Sequence, residues 1–153
     1  MARVIAFANQ KGGVGKTTTA VSVASFMALA NKKVLLIDAD PQANATSNLG
    51  INGKELERGV YDVIIGQMAL REVLFQSPVE GLHIAPATMA LAGATVELVP
   101  LERREFRLHE AVHDTDGDVA PSQGDAGVGI VAEHRQGDRD RVEQRRLLDQ
   151  VVV

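Results

Sequence analysis

The stretch Val4-Ile5-Ala6-Phe7-Ala8-Asn9-Gln10-Lys11-Gly12-Gly13-Val14-Gly15-Lys16-Thr17-Thr18 decides how this chain folds. Val4 to Ala8 is a short apolar run, which reads as a buried strand. Asn9 to Lys16 is a glycine-rich turn. From Thr17 to Ala30 the residues are small and apolar at helical spacing. Glycines let a backbone bend so that its N–H groups converge on an anion with no side chain in the way. The helix that follows adds its N-terminal N–H groups and the positive end of its dipole. Lys16 can reach the outer phosphates of a bound nucleotide, and the Thr17 hydroxyl can ligate Mg²⁺.

The same logic extends downstream. In the helix, Val21, Ala24, Ala28, Phe26 and Leu29 are expected to face a sheet, and Asn31 is expected to cap its C-terminus. Lys33 to Ile37 reads as a second buried strand ending at Asp38. Strand, loop, helix and strand make one right-handed crossover of a parallel sheet. Asn44 to Gly53 reads as a loop or short helix, and Val60–Ile65 and Leu70–Phe75 as short helices. Leu82 to Ala85 is a third strand stopped by Pro86. Met89–Leu98 and Glu102–Val112 read as helices separated by Pro100. The expected fold class is α/β: a parallel β-sheet flanked by helices, incomplete, with an irregular C-terminal tail.

Composition narrows the chemistry. The chain has 153 residues, 45% hydrophobic, with no Cys and no Trp. A disulfide scaffold and a cysteine-ligated metal or cluster are excluded. No apolar run is long enough to cross a bilayer, and no signal peptide is expected. Up to Val112 there are 11 basic and 11 acidic residues; from His113 onward five Arg stand against seven Asp and two Glu, so the net −4 lies in the tail. Neither part has the basic bias of a stand-alone nucleic-acid binder.

The run Lys11-Gly12-Gly13-Val14-Gly15-Lys16-Thr17-Thr18 departs from the strict P-loop pattern at Gln10 and adds Lys11. In this it resembles the deviant Walker A ATPases, which include ParA/Soj, MinD and the nitrogenase iron protein. The resemblance implies a P-loop NTPase that binds ATP and Mg²⁺, with Lys11, Gly12, Gly13, Val14, Gly15, Lys16, Thr17 and Thr18 holding the nucleotide. It implies that Lys11 reaches the partner's ATP in a nucleotide-sandwich homodimer. The alternative for Lys11 is a solvated loop lysine.

Asp38-Ala39-Asp40-Pro41-Gln42 stands at the carboxyl end of a strand, where α/β sheets bind ligands. A carboxylate there can orient an attacking water or hold Mg²⁺ through water. By resemblance, Asp40 positions the hydrolytic water and acts catalytically with Lys11 and Lys16. Asp38, with Thr17, belongs to the metal's surroundings; the alternative for Asp38 is a capping carboxylate.

Asp-Pro-Gln followed by Asn44-Ala45-Thr46 resembles ParA/Soj in particular, the chromosome- and plasmid-partitioning family, over about residues 3 to 112. That likeness implies ATP hydrolysis in DNA segregation, a ParB-like partner, non-specific DNA binding by the ATP dimer and a cytoplasmic, nucleoid-associated location. A MinD-like membrane-cycling ATPase is a rival reading. It would need an amphipathic C-terminal helix, and Arg139 to Val153 lacks aromatic anchors, so no membrane is expected.

After Val112 the pattern changes. Asp114 to Asp125 has no periodicity and reads as loop or disorder. The Walker B strand, apolar residues ending in Asp, is not recognisable. Leu147-Leu148-Asp149 follows two Arg, and Gly129-Ile130-Val131-Ala132-Glu133 is no better. The expected organisation is an N-terminal ParA-like part, 1–112, and an atypical tail, 113–153, produced by a frameshift near His113, a fusion or a truncation. A natural divergent tail is the alternative, and a non-catalytic nucleotide-binding fragment is the corresponding functional reading.

Overall fold

The computed structural model describes residues 3–9, 13–114 and 128–134. Within them, strand β1 (Arg3–Asn9) leads through the glycine turn into helix α1 (Lys16–Leu29), and strand β2 (Val34–Asp38) follows. Next come helices α2 (Asn44–Asn48) and α3 (Val60–Ile64), a 3₁₀ turn at Leu70–Val73, and strands β3 (Phe75–Gln76) and β4 (Leu82–Ala85). Met89–Gly93 is a 3₁₀ turn continued by α4 (Ala94–Glu97). A 3₁₀ turn at Arg104–Phe106 opens α5 (Arg107–Asp114), and β5 is Val128–His134.

The sheet order is β1-β5-β2-β4-β3. Four strands are parallel; β3 pairs antiparallel with β4 at the edge. The expected parallel sheet is therefore present with one short antiparallel addition. β5, which includes the poor Walker B candidate Gly129-Ile130-Val131-Ala132-Glu133, is a regular element within the tail expected to be irregular. Val128–His134 pairs with β1 on one side and β2 on the other. The rest of the tail, including Leu147-Leu148-Asp149 and Arg139 to Val153, lies outside the described residues.

Two apolar layers cover the sheet. On one face Ala20, Ala24 and Ala28 of α1 are buried against Val34, Leu36, Leu82 and Ile84. Three alanines four apart form one helix stripe, and their small side chains let the helix backbone lie close to the strands. On the other face Ile37 and Ala85 pack with Val60, Val63, Leu70 and Val73, and Leu108 and Val112 of α5 join them.

The stripe corrects two expectations. Phe26 and Leu29 are 72% and 69% exposed, because α1 turns Ala24 and Ala28 inward and these two outward. Phe26→Ser should therefore change stability by no more than about 0.5 kcal/mol. A shift in the urea midpoint well beyond that would show that Phe26 is buried in solution. Asn31 behaves as expected. At φ 60 it ends α1, with Asn31 N–H on Ala28 O at 2.9 Å and Lys32 N–H on Met27 O at 3.0 Å. That pair of bonds is a Schellman closure.

Candidate functional site

The site begins with backbone. Gly13 and Gly15 have φ of +71 and +80. This left-handed region strains any residue with a Cβ, and two such turns fold the loop over the start of α1. No side chain caps α1, and no acidic residue lies in its first turn. The helix therefore presents Lys16, Thr17 and Thr18 at an end suited to an anion.

A cleft of about 380 Å³ opens there. It is lined by Gly13, Val14, Gly15, Lys16, Thr17 and Thr18 from the loop and α1, and by Asp40, Gln42, Asn44 and Asn48 from the segment after β2. The structure thus brings together most of the residues expected to bind nucleotide and adds Asp40. Lys11 and Gly12 lie outside the described residues.

Asp40 is nearly buried, and its Oδ1 accepts the Gln42 N–H at 2.9 Å. Asp38 is fully buried and does not line the cleft. Its Oδ2 accepts the Thr46 N–H at 2.8 Å and the Thr46 hydroxyl at 2.7 Å, and its Oδ1 accepts the Asp40 N–H at 3.2 Å. Thr46 is the third residue of α2, so Asp38 satisfies a donor at that helix's start. The Ala87 N–H in turn donates to Thr46 Oγ1 at 3.0 Å. Burial pushes the Asp38 carboxyl above the usual carboxylate range, and the Thr46 and Asp40 hydrogen bonds pull it part of the way back.

These contacts fit the capping alternative for Asp38, which holds the start of α2 and braces the Asp40 turn. Among the described residues no group of three or more His, Asp or Glu is placed to hold a metal ion. Of the cleft's oxygen-bearing side chains, the Thr17 hydroxyl at the start of α1 is the one that would hold Mg²⁺ beside a bound phosphate.

Sequence reasoning missed Gln42, Asn44 and Asn48 as cleft-lining residues and Thr46 as the partner of Asp38. The signal was a pair of amides four apart immediately after Asp-Pro-Gln. It also missed the support from Gly59. A Cβ there would stand 2.4 Å from Pro86 O, and the Val60 N–H bonds that same oxygen at 2.9 Å.

A glycine loop between a parallel strand and a helix, facing a carboxylate at the next strand's end, defines a P-loop nucleotide-binding fold. Comparison with known proteins names the branch. Residues 2–118 match the model of a family described as AAA domain. The chain is 48% identical over 112 residues to the sporulation initiation inhibitor protein Soj of Bacillus subtilis, covering 73% of this chain and 44% of that protein. It is 50% identical over 117 residues to the chromosome-partitioning ATPase Soj of Thermus thermophilus, covering 76% and 43%. Among solved structures it resembles cobyrinic acid a,c-diamide synthase from Mycobacterium smegmatis with bound ATP analogue and magnesium: TM-score 0.78, 36% identity, 86% of this chain and 51% of that one. The chain belongs to the AAA domain family, as a ParA/Soj-type P-loop ATPase sequence. It spans less than half the length of these two Soj relatives. No helix among the described residues is long and apolar enough to cross a membrane.

Proposed function

We propose that this chain carries the nucleotide-binding part of a ParA/Soj-type ATPase of chromosome or plasmid partitioning, and that it binds Mg-ATP in the cleft between the phosphate loop and Asp40. One observation carries this reading: the left-handed Gly13 and Gly15, the start of α1 and Asp40 all line a single cleft. Lys16 binds the outer phosphates, Thr17 supplies a metal oxygen, and Asp40 orients water at the terminal phosphate. Bound Mg²⁺ would neutralise phosphate charge there. Asp38 positions Asp40 through its N–H. For the whole protein, relatives named for chromosome partitioning support a cytoplasmic, nucleoid-associated cycle. That cycle includes an ATP-dependent homodimer with Lys11 at the partner's nucleotide, a ParB-like partner and non-specific DNA.

Lys16→Ala should weaken ATP binding about a hundredfold, ~2.7 kcal/mol, since charge-assisted phosphate contacts are lost. Calorimetric titration with Mg-ATP measures it, and unchanged affinity would refute the site.

A second reading, a nucleotide binder without turnover, has its own observation. β5 lies between β1 and β2, yet the residue in register with both Phe7 and Asp38 is Ala132. P-loop sites draw a metal-holding Asp from such a strand end. Among the described residues only β2 ends in Asp. Mg-ATP binding without phosphate release would support this reading.

A further inference from the structure

Helix α5 carries a pattern that the nucleotide cleft does not use. His109-Glu110-Ala111-Val112-His113 sets two histidines four apart on one helix. Residues at that spacing stand on the same side, one above the other. The structure has the two rings in contact: the imidazole centroids of His109 and His113 are 4.3 Å apart, with the ring planes at 51°. Leu108, Ala111 and Val112 turn toward the core layer beneath the helix. His113 is exposed and His109 half-buried, so a hydrated ion can reach the pair.

The donor set selects the ion. Imidazole nitrogen suits Ni²⁺, Cu²⁺ and Zn²⁺, whereas Mg²⁺ takes oxygen. With metal–nitrogen bonds of about 2.1 Å, two imidazole rings sharing one ion stand about 4–5 Å apart, and the observed 4.3 Å falls in that range. The same His-Glu-x-x-His spacing serves hydrolytic zinc sites, where the glutamate is the general base. Glu110 is placed otherwise. Its Oε1 lies 2.7 Å from Arg103 Nη2, and with Asp114 it lines a separate cleft of about 230 Å³ beside Arg71 and Arg107. Among the described residues no third His, Asp or Glu joins the pair. These residues make a two-histidine chelate, completed by water, rather than a hydrolytic centre.

We propose that His109 and His113 bind one divalent ion of the Ni²⁺, Cu²⁺ and Zn²⁺ group, and that the ion staples α5. The helix has eight residues, too few to be stable alone in water. Chelation across one turn requires that turn to be formed. The ion therefore prefers the folded chain to the unfolded one and stabilises it.

The test uses the full chain without a histidine tag, and the variants His109→Gln and His113→Gln. Calorimetry with Ni²⁺ and Zn²⁺ counts the ions, and thermal melts read the stabilisation. Paramagnetic broadening of imidazole proton signals by Ni²⁺ shows which of the four histidines take part. The expected result is one ion per chain, a raised melting temperature with either metal, and broadening at His109 and His113 together. Each variant should lose about tenfold or more in affinity. Wild-type affinity in either variant, one ion shared between two chains, or broadening centred on His83 or His134 overturns the proposal. Should a variant fail to fold, the wild-type spectrum decides alone: both rings affected upholds the chelate, and one ring or neither overturns it.

Discussion

Asp38→Ala is expected to cost about 2–4 kcal/mol of folding stability. Three donors lose their acceptor at once: the Thr46 N–H, the Thr46 hydroxyl and the Asp40 N–H. All lie at buried residues, where water cannot substitute. Removing the carboxylate does relieve its own desolvation, but donors left behind in a buried site cost more than the pair was worth. Urea unfolding measures the change, and a loss below about 1 kcal/mol would mean that the cluster is hydrated in solution. The pH dependence has a definite sign. Burial raises the Asp38 pKa in the fold, so the fold holds that proton more tightly than the unfolded chain does. The associated stabilisation is fully present below the unfolded pKa, about 3.9, and is lost as pH rises through the folded pKa. Asp38→Asn does not titrate. The stability difference between the two proteins should therefore move in favour of the wild type as pH is lowered toward 4. A pH-independent difference would sink the assignment.

Gly59→Ala is expected to cost about 2–3 kcal/mol for a steric reason. The backbone at Gly59 is extended, at φ −172, so conformation is no obstacle. Space is the obstacle: the added Cβ would meet Pro86 O at 2.4 Å and Thr88 Cγ2 at 2.8 Å. The first neighbour is main chain and cannot swing aside. Relief requires parting Gly59 from Pro86, which breaks the Val60 N–H bond to Pro86 O. The Pro86–Thr88 segment also carries the Ala87 N–H that holds Thr46. Loosening it should reach Asp38, so Gly59→Ala combined with Asp38→Ala should cost less than the sum of the two. Strict additivity, measured by a double-mutant cycle in urea, would disconnect them.

Much of this was legible in sequence because it depends on local chemistry. The phosphate loop needs glycines at set offsets before Gly-Lys-Thr, and left-handed Gly13 and Gly15 are what those offsets encode. The continuous apolar runs at Val4–Ala8 and Val34–Ile37 read as strands of a sheet covered on both faces, and Leu82-His83-Ile84-Ala85 as a third strand stopped by Pro86. Asn31 announced the end of α1. The inward face of α1 was harder to read. Small Ala20, Ala24 and Ala28 compete poorly with Phe26 and Leu29 on any hydrophobicity scale, yet closeness to the sheet favours the small side chains. The role of Asp38 was ambiguous because a cap and a metal ligand look alike until the partners are seen, and Thr46 is eight residues away. β5 was hidden for a different reason. Its short apolar run is broken by Gly129 and set among Asp and Gly. What makes it a strand is a slot between β1 and β2, and no local pattern records a slot.

That slot has a consequence for the order in which the molecule is made. β1 and β2 are complete by residue 38, but they stand on either side of a strand that begins at residue 128. With adjacent strands about 4.8 Å apart, they lie about 10 Å from each other and share no hydrogen bonds. On a translating ribosome, the phosphate-loop strand therefore waits for some ninety further residues with both its edges open. During that interval β2 and β4 can pair while β1 cannot join them. The nascent chain is then a half-sheet with a ready edge, a natural client for a chaperone that shields exposed strands. Among the described residues, the strand that emerges latest is the one that welds the two halves of the nucleotide cleft into a single sheet.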